Sequence, residues 1–357
     1  MKQKILIKSI LTLIVLLLAV PMLFSQVRGN GNVEKQERNV GDFTGISVRS
    51  GIDLIVTQGD QSKLIIETDE NLQEYIITEV ESGILKIYVK QNARINKSSA
   101  MDAHVTVNQL DLLNVSGGGD VQSKGLISTD DISISVSGGG DLQFDLKADR
   151  AKCDISGGGD VSLDAEIREF KAALSGGGDM NFDGDIGLLD LSVSGGGDAK
   201  INGGSGAEGV MVGMSGGGDL ILEIACKKIK VSSAGGGDVS ASAGSDVLEA
   251  GFSLSGGGDL SLTIDVGDLA VSMAGGGDAS LRGSANKFAG EIKSGGDLSA
   301  PDFRIKAAKI DLSGGSDARI HVDEELLLKA SGGAQIHLTG DPHIDANLTG
   351  GSKLYRD

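Results

Sequence analysis

Tryptophan is absent from this 357-residue chain, and proline, cysteine and histidine occur only 3, 2 and 4 times. Aromatic residues make up 3% of the chain, too few for the stacked platforms on which sugar sites usually rest. Scarce proline excludes collagen, although glycine reaches 56 residues, about 16% against a usual level of about 7%. The same glycine does not make a flexible linker, because 39% of residues are apolar and must be buried somewhere. Basic residues are the minority, 32 against 50 acidic, for a formal charge of −18. That balance excludes nucleic acid and an anionic membrane surface as partners.

One long hydrophobic run is present, from Ile10 to Phe24, behind a basic segment with Lys2, Lys4 and Lys8. It is short for a bilayer span, and Ser25 supplies a small residue ahead of Gln26. Residues 1–25 therefore read as a secretory signal peptide that engages the secretion machinery. No cysteine lies near the cut to carry a lipid anchor. The mature chain is expected to be exported, to the periplasm, the outer membrane surface or the medium. Losing the three lysines takes its charge from −18 to −21.

From residue 116 onward one phrase recurs, Ser/Ala-Gly-Gly-Gly-Asp, ending at Asp120, Asp141, Asp160, Asp179, Asp198, Asp219, Asp238, Asp259 and Asp278. Four degenerate copies follow, with Asp297, Asp317, Gln335 and Lys353 in the last position. Copies are 18 to 21 residues apart, about 19 on average. Aligning them exposes apolar columns. The residue after the Asp position is always apolar (Val121, Leu142, Val161, Met180 and onward), and the residue two further on is nearly always so (Phe144, Leu163, Phe182, Ile201). Between them stand polar residues such as Gln122, Gln143 and Ser162. Ahead of the glycines the same alternation appears in Ile134 and Val136, or Cys153 and Ile155. Period-two alternation marks strands with one buried face. Three glycines in nearly every 20 residues disfavour helix.

Each repeat is thus expected to be a strand, a tight glycine turn, a second strand and a more variable turn. One such unit cannot bury its apolar face alone, but stacked units can. The sequence predicts an all-β parallel β-helix, or solenoid, of about 13 coils with roughly 19-residue repeats, preceded by a β-rich N-terminal cap. At about 4.8 Å per coil the rod would be about 60 Å long. The organisation expected is a signal peptide at 1–25, a β-rich portion at 26–110 that caps or begins the solenoid, and the β-helix at 111–357. Extra residues of the longer repeats, as in 202–208, are assigned to the variable turn. Cys153 and Cys226 fall about four coils apart, about 19 Å, too far for a disulfide.

Several stretches carry a family likeness: Phe43-Thr-Gly-Ile-Ser-Val48, Ile52-Asp-Leu-Ile-Val-Thr-Gln-Gly59, Gly83-Ile-Leu-Lys-Ile87, and Val105 to Ser116 leading into Gly-Gly-Gly-Asp120. On these the chain resembles the GIN-domain family of auto-transporter adhesin heads, over nearly the whole mature sequence. It departs in having Gly-Gly-Gly where Gly-Ser-Gly is more usual, and in carrying more copies. The resemblance implies a secreted or envelope β-helix of Bacteroidetes-type, Gram-negative bacteria with a role in adhesion. It implies no catalytic residues.

The aspartate row is the candidate site. Asp120, Asp141, Asp160, Asp179, Asp198, Asp219, Asp238, Asp259 and Asp278 would line one edge, one coil apart, where neighbouring charges repel by about 0.9 kcal/mol even in bulk water. Calcium would relieve this, and these nine are the calcium candidates. Against it, the calcium β-roll repeats every nine residues and the opposite turn here shows no matching Asp. In the other reading each carboxylate accepts hydrogen bonds from turn N–H groups and faces water. No other cofactor is implied. His321, His337 and His343 occupy different columns and read as surface residues. The expected function is a non-enzymatic secreted or envelope β-helix that serves as an adhesion or surface-interaction module, with a surface protein or a glycan as partner. The alternatives are a periplasmic scaffold with a protein partner and a carbohydrate-active β-helix. Whether it oligomerises is left open.

Overall fold

The computed structural model describes residues 25–244 and 246–357. The hydrophobic part of the signal-peptide reading, residues 1–24, lies outside the described residues. The rest is an all-β solenoid of about 13 coils. Successive coils pair in parallel, each in register with the one before. Val136 stands over Ile155, Leu174 and Val193 in turn, and Leu142 over Val161 and Met180. These columns point inward and are almost fully buried, as are the core phenylalanines Phe144, Phe170, Phe182, Phe252, Phe288 and Phe303. Each large apolar side chain so buried contributes about 1.5–3 kcal/mol. The rings of Phe170 and Phe182 meet at 5.2 Å between centroids.

The second corner differs from expectation. In many coils it is not a turn at all. Strands such as Leu142–Gly157, Val161–Gly176 and Met180–Gly195 run for 16 residues from one glycine turn to the next. The pairing passes from Ala148↔Ile167 to Arg150↔Glu169 and skips Asp149 and Arg168. Asp149 and Arg150 are both exposed between buried Ala148 and Ala151, so the inside/outside alternation slips by one residue at this corner and the strand changes sheets while the register with its neighbours is kept. The longer repeats do place their extra residues at this corner. The register slips between Gly203 and Ala207, inside the segment expected to absorb them.

The N-terminal portion both begins and caps the rod. Gly45–Arg49 and Asp53–Gln58 already stack in parallel beneath Leu112–Gly117 and Val121–Ser123. Below them the pairing turns antiparallel. Lys63–Asp69 lies between Met101–Val107 and the edge strand Val33–Arg38. That edge reads Val-Glu-Lys-Gln-Glu-Arg, and its charges discourage a further strand from adding. A hairpin joins Ile76–Glu81 to Ile84–Val89 through Ser82 and Gly83, both at positive φ (53° and 77°), as a tight hairpin turn needs. Buried Asp69 ties the entry segment down. It accepts the N–H groups of Gly31 (2.6 Å) and Ser99 (2.7 Å) and the Ser99 hydroxyl (3.1 Å), which hold its carboxyl below the usual range despite burial.

The three glycines of the turn are not equivalent. The first is left-handed: Gly117, Gly138, Gly157, Gly176, Gly195 and Gly216 have φ from +116° to +146°. The third lies against the coil below. A Cβ on Gly178 would sit 2.2 Å from the Gly159 carbonyl oxygen, and one on Gly176 would sit 2.3 Å from that of Gly157. The middle glycine meets nothing, since a Cβ on Gly177 finds no atom within 4 Å. This explains why serine is tolerated there in the resembling family. The two-glycine copies use another turn with two consecutive left-handed residues, Gly314 (81°) and Gly315 (85°) in one copy, and Ser294 (66°) and Gly295 (91°) in the copy before it. Gly176→Ala and Gly178→Ala are each expected to lower stability by at least about 2 kcal/mol, through left-handed φ at the first and backbone collision at both. Gly177→Ala is expected to be neutral or to stabilise by up to about 1 kcal/mol. Urea-unfolding midpoints of the three variants check the order.

Candidate functional site: the aspartate ladder and the neighbouring sheet face

The structure brings all the expected aspartates into one row and shows what holds them there. Asp120 Oδ1 accepts the backbone N–H of Asp141 at 3.0 Å, and Asp141 Oδ1 that of Asp160 at 3.0 Å. The same bond joins Asp160, Asp179, Asp198, Asp219, Asp238, Asp259, Asp278, Asp297 and Asp317 in succession, at 2.8–2.9 Å. Gln335 closes the series by donating its N–H to Asp317 at 2.9 Å. The backbone runs the other way: the carbonyl of each Asp accepts the N–H that follows the Asp below, as in Val121 to Asp141 at 2.7 Å. The Asp thus links its coil in both directions.

The ladder starts one rung earlier than the glycine phrase suggests. Asp53 Oδ1 accepts the Asp120 N–H at 2.9 Å. The sequence signal was there in Ser50-Gly51-Ile52-Asp53, a worn copy with one glycine and an apolar residue in place of the others.

A charge-assisted hydrogen bond contributes about 1.5–3 kcal/mol when well shielded. Repulsion between neighbouring carboxylates at the coil spacing is about 0.9 kcal/mol in water. Each rung therefore carries its own hydrogen bond to set against that repulsion. The calcium candidates each commit one oxygen to an N–H group and keep the other facing outward. Among the described residues the ladder carboxylates do not converge in threes; the one convergent group of acidic and histidine ligands is Glu67, Asp102 and His104, which sequence reasoning missed.

A shallow groove of about 680 Å³ follows the C-terminal half of the ladder, between Asp259, Asp278 and Asp297 and the serines Ser261, Ser280 and Ser299. His337 lies at its end, stacked on Tyr355 at 5.0 Å and 3.2 Å from Asp357. His321 instead bonds Asp323 and Thr339, both at 2.9 Å, so the two histidines do stand apart. Both cysteines are free and buried. Burial pushes the Cys153 thiol up to about 12 and that of Cys226 up to about 11, which makes them poor nucleophiles.

A larger groove, about 1870 Å³, lies on the outer face of the sheet that precedes the glycine turns. Small residues, Gly251, Ala270 and Ala289, follow one another in register along one part of it; two or more coils away Leu188 (45% exposed), opposite Gly209, and Met211 (58% exposed), opposite Asp190, stand out into solvent. Charged pairs flank them: Asp131 with Arg150 at 2.5 Å, Lys171 with Asp190 at 3.2 Å and Lys228 with Glu249 at 3.5 Å. These lysines and Arg150 balance the acids locally, in contrast to the ladder edge.

Two outcomes test the ladder. Asp179→Ala should cost about 1 kcal/mol by stripping the Asp198 N–H of its acceptor, while Asp179→Asn, which keeps an oxygen there, should cost less than about 0.5; thermal melts of both read the difference. Calcium added to chelator-treated protein should leave the melting temperature unchanged, and a rise would place cations on the outward oxygens.

A family model described as "Putative auto-transporter adhesin, head GIN domain" matches residues 42–202, 185–260 and 243–342. Among solved structures, a "putative adhesin" from Bacteroides fragilis is 17% identical, with a TM-score of 0.46, over 71% of this chain and 99% of that one. A "putative adhesin" from Parabacteroides merdae is 18% identical, with a TM-score of 0.32, over 93% and 99%. A "putative lipid binding protein" from Parabacteroides distasonis is 17% identical, with a TM-score of 0.26, over 93% and 100%. No curated protein matches. With the family model matched three times across the solenoid, the chain belongs to the auto-transporter adhesin head GIN-domain family.

Proposed function

We propose that this protein is an exported, non-enzymatic adhesion rod that engages a protein partner through the outer face of the sheet preceding the glycine turns. The observation that carries this reading is the groove there, where Leu188 and Met211 stand exposed on adjacent coils and the small residues Gly251, Ala270 and Ala289 continue the same face further along the rod. Such small residues let a partner backbone or side chain approach the sheet closely. Exposed Leu188 and Met211, on adjacent coils two residues out of register, give it apolar area to bury. The charged pairs along the rim would set register and orientation rather than affinity.

A protein is favoured over a glycan because the groove offers no ring for stacking. Its phenylalanines, Phe170, Phe252 and Phe288, are turned into the core and buried. The family supports an exported or surface location, and the rigid rod suits presentation away from a membrane.

The test is made on intact cells that carry the protein. External protease should remove it, and the double variant Leu188→Glu/Met211→Glu should fold normally but adhere at least about tenfold less, equal to about 1.4 kcal/mol of binding. Protein protected inside the outer membrane would overturn the surface reading in favour of an envelope scaffold. Unchanged adhesion of the variant would overturn the choice of face.

A further inference from the structure

The acidic row does not end where the parallel coils end. Asp53, its first rung, lies in register with Asp102 on Met101–Val107. Asp102 in turn faces Glu67 across the antiparallel pair, and Glu67 faces Lys35 on the edge strand. A single outward row therefore runs Asp120, Asp53, Asp102, Glu67, Lys35 across the junction between the rod and its cap.

The bonding changes at this junction. Asp53 accepts the Asp120 N–H, as every later rung accepts the next. Asp102 stands between two other carboxylates, those of Asp53 and Glu67. Burial first, and then these two charges, raise its carboxyl above the usual range. His104, two residues further along the same face of the strand, places Nε2 2.9 Å from Glu67 Oε2. One donor atom from each of Glu67, Asp102 and His104 lies within 4.8 Å of the others, and all three side chains are half-buried. Lys35 Nζ sits 3.1 Å from the Glu67 oxygen that His104 also meets.

We propose that Glu67, Asp102 and His104 form a binding site for a divalent metal ion of the zinc class, which staples Lys63–Asp69 to Met101–Val107 beneath the first rung of the ladder. One imidazole nitrogen and two carboxylate oxygens are a donor set that zinc accepts in three-ligand sites, with water in the remaining position. The imidazole favours zinc and its transition-metal neighbours over calcium or magnesium, which take oxygen ligands. Ligand bonds of about 2.0–2.2 Å would set the donors about 3.4 Å apart: His104 Nε2 and Glu67 Oε2, now 2.9 Å apart, would open by about 0.5 Å, and a separation as wide as 4.8 Å would close by about 1.4 Å, which side-chain rotation can supply. The ion would offset the clustered charge of Asp53, Asp102 and Glu67. Lys35, 62% exposed, is the competing cation and would swing into solvent when metal binds.

The experiment uses the full chain, stripped of metal by chelation and titrated with zinc by calorimetry, with cobalt as an optical probe of the same site. One zinc per chain is expected, with a rise in melting temperature at saturation. His104→Ala and Asp102→Asn should each weaken binding at least about tenfold, and Lys35→Ala should strengthen it. His337→Ala, at the far end of the rod, should change nothing. Asp102→Asn removes a clustered charge, so loss of folding is not expected to confuse the result, and circular dichroism checks it. Wild-type protein that takes up no zinc at about 100 μM, or binding left unchanged by His104→Ala and Asp102→Asn, overturns the proposal.

Discussion

Successive turns lie so close that a Cβ on the third glycine of one coil would fall about 2 Å from a carbonyl oxygen of the coil below, as at Gly178 over Gly159. No side chain fits that gap, so the turn must be bare backbone. The approach in turn brings the Asp N–H within reach of the carboxylate one coil down. It also locks the register of both sheets, because a slip of one residue would drive a Cβ into backbone and turn every core side chain outward. Core and ladder both follow from this one contact.

The ladder shows how such a rod tolerates a line of like charges. Each carboxylate repels its neighbours weakly, since the edge faces water, and each is held by an N–H that the tight turn would otherwise leave to solvent. The balance is favourable by a modest margin at each step and repeats twelve times, from Asp53 to Gln335. It is a local device, and it works only between parallel coils in register. Where the pairing turns antiparallel, at Asp102 and Glu67, the carboxylates face one another without that N–H between them. The cap is therefore where the electrostatics of the rod are least resolved within the chain itself.

Much of this was legible in the residues. The apolar columns beginning with Val121 and Leu142 named the core, and the glycine phrase named the sharp edge, because both repeat and repetition exposes register. The second corner was misread as a turn. Its residues Asp149 and Arg168 look like ordinary loop polars, and nothing local says that the flanking strands continue through them. Asp53 was hidden by the loss of two glycines from its copy. The group of Glu67, Asp102 and His104 could not be found at all by spacing. It is assembled by antiparallel pairing between segments 37 residues apart, and a single unrepeated pairing leaves no periodic trace. The proposed docking face was equally invisible in the sequence, since Leu188 and Met211 come onto adjacent coils only when two coils of different length are stacked.

The middle glycine of the turn has a consequence of another kind. At Gly139, Gly158, Gly177 and Gly196 the position is exposed and touches nothing, as it is on the other three-glycine coils. It is a vacant lattice along those coils at the strand spacing, and its occupants are not dictated by the fold. A lineage can decorate it with hydroxyls, charges or bulk, one coil at a time, without disturbing the interior. The scaffold thus separates what must be kept for folding from what can be rewritten for recognition, within three consecutive residues.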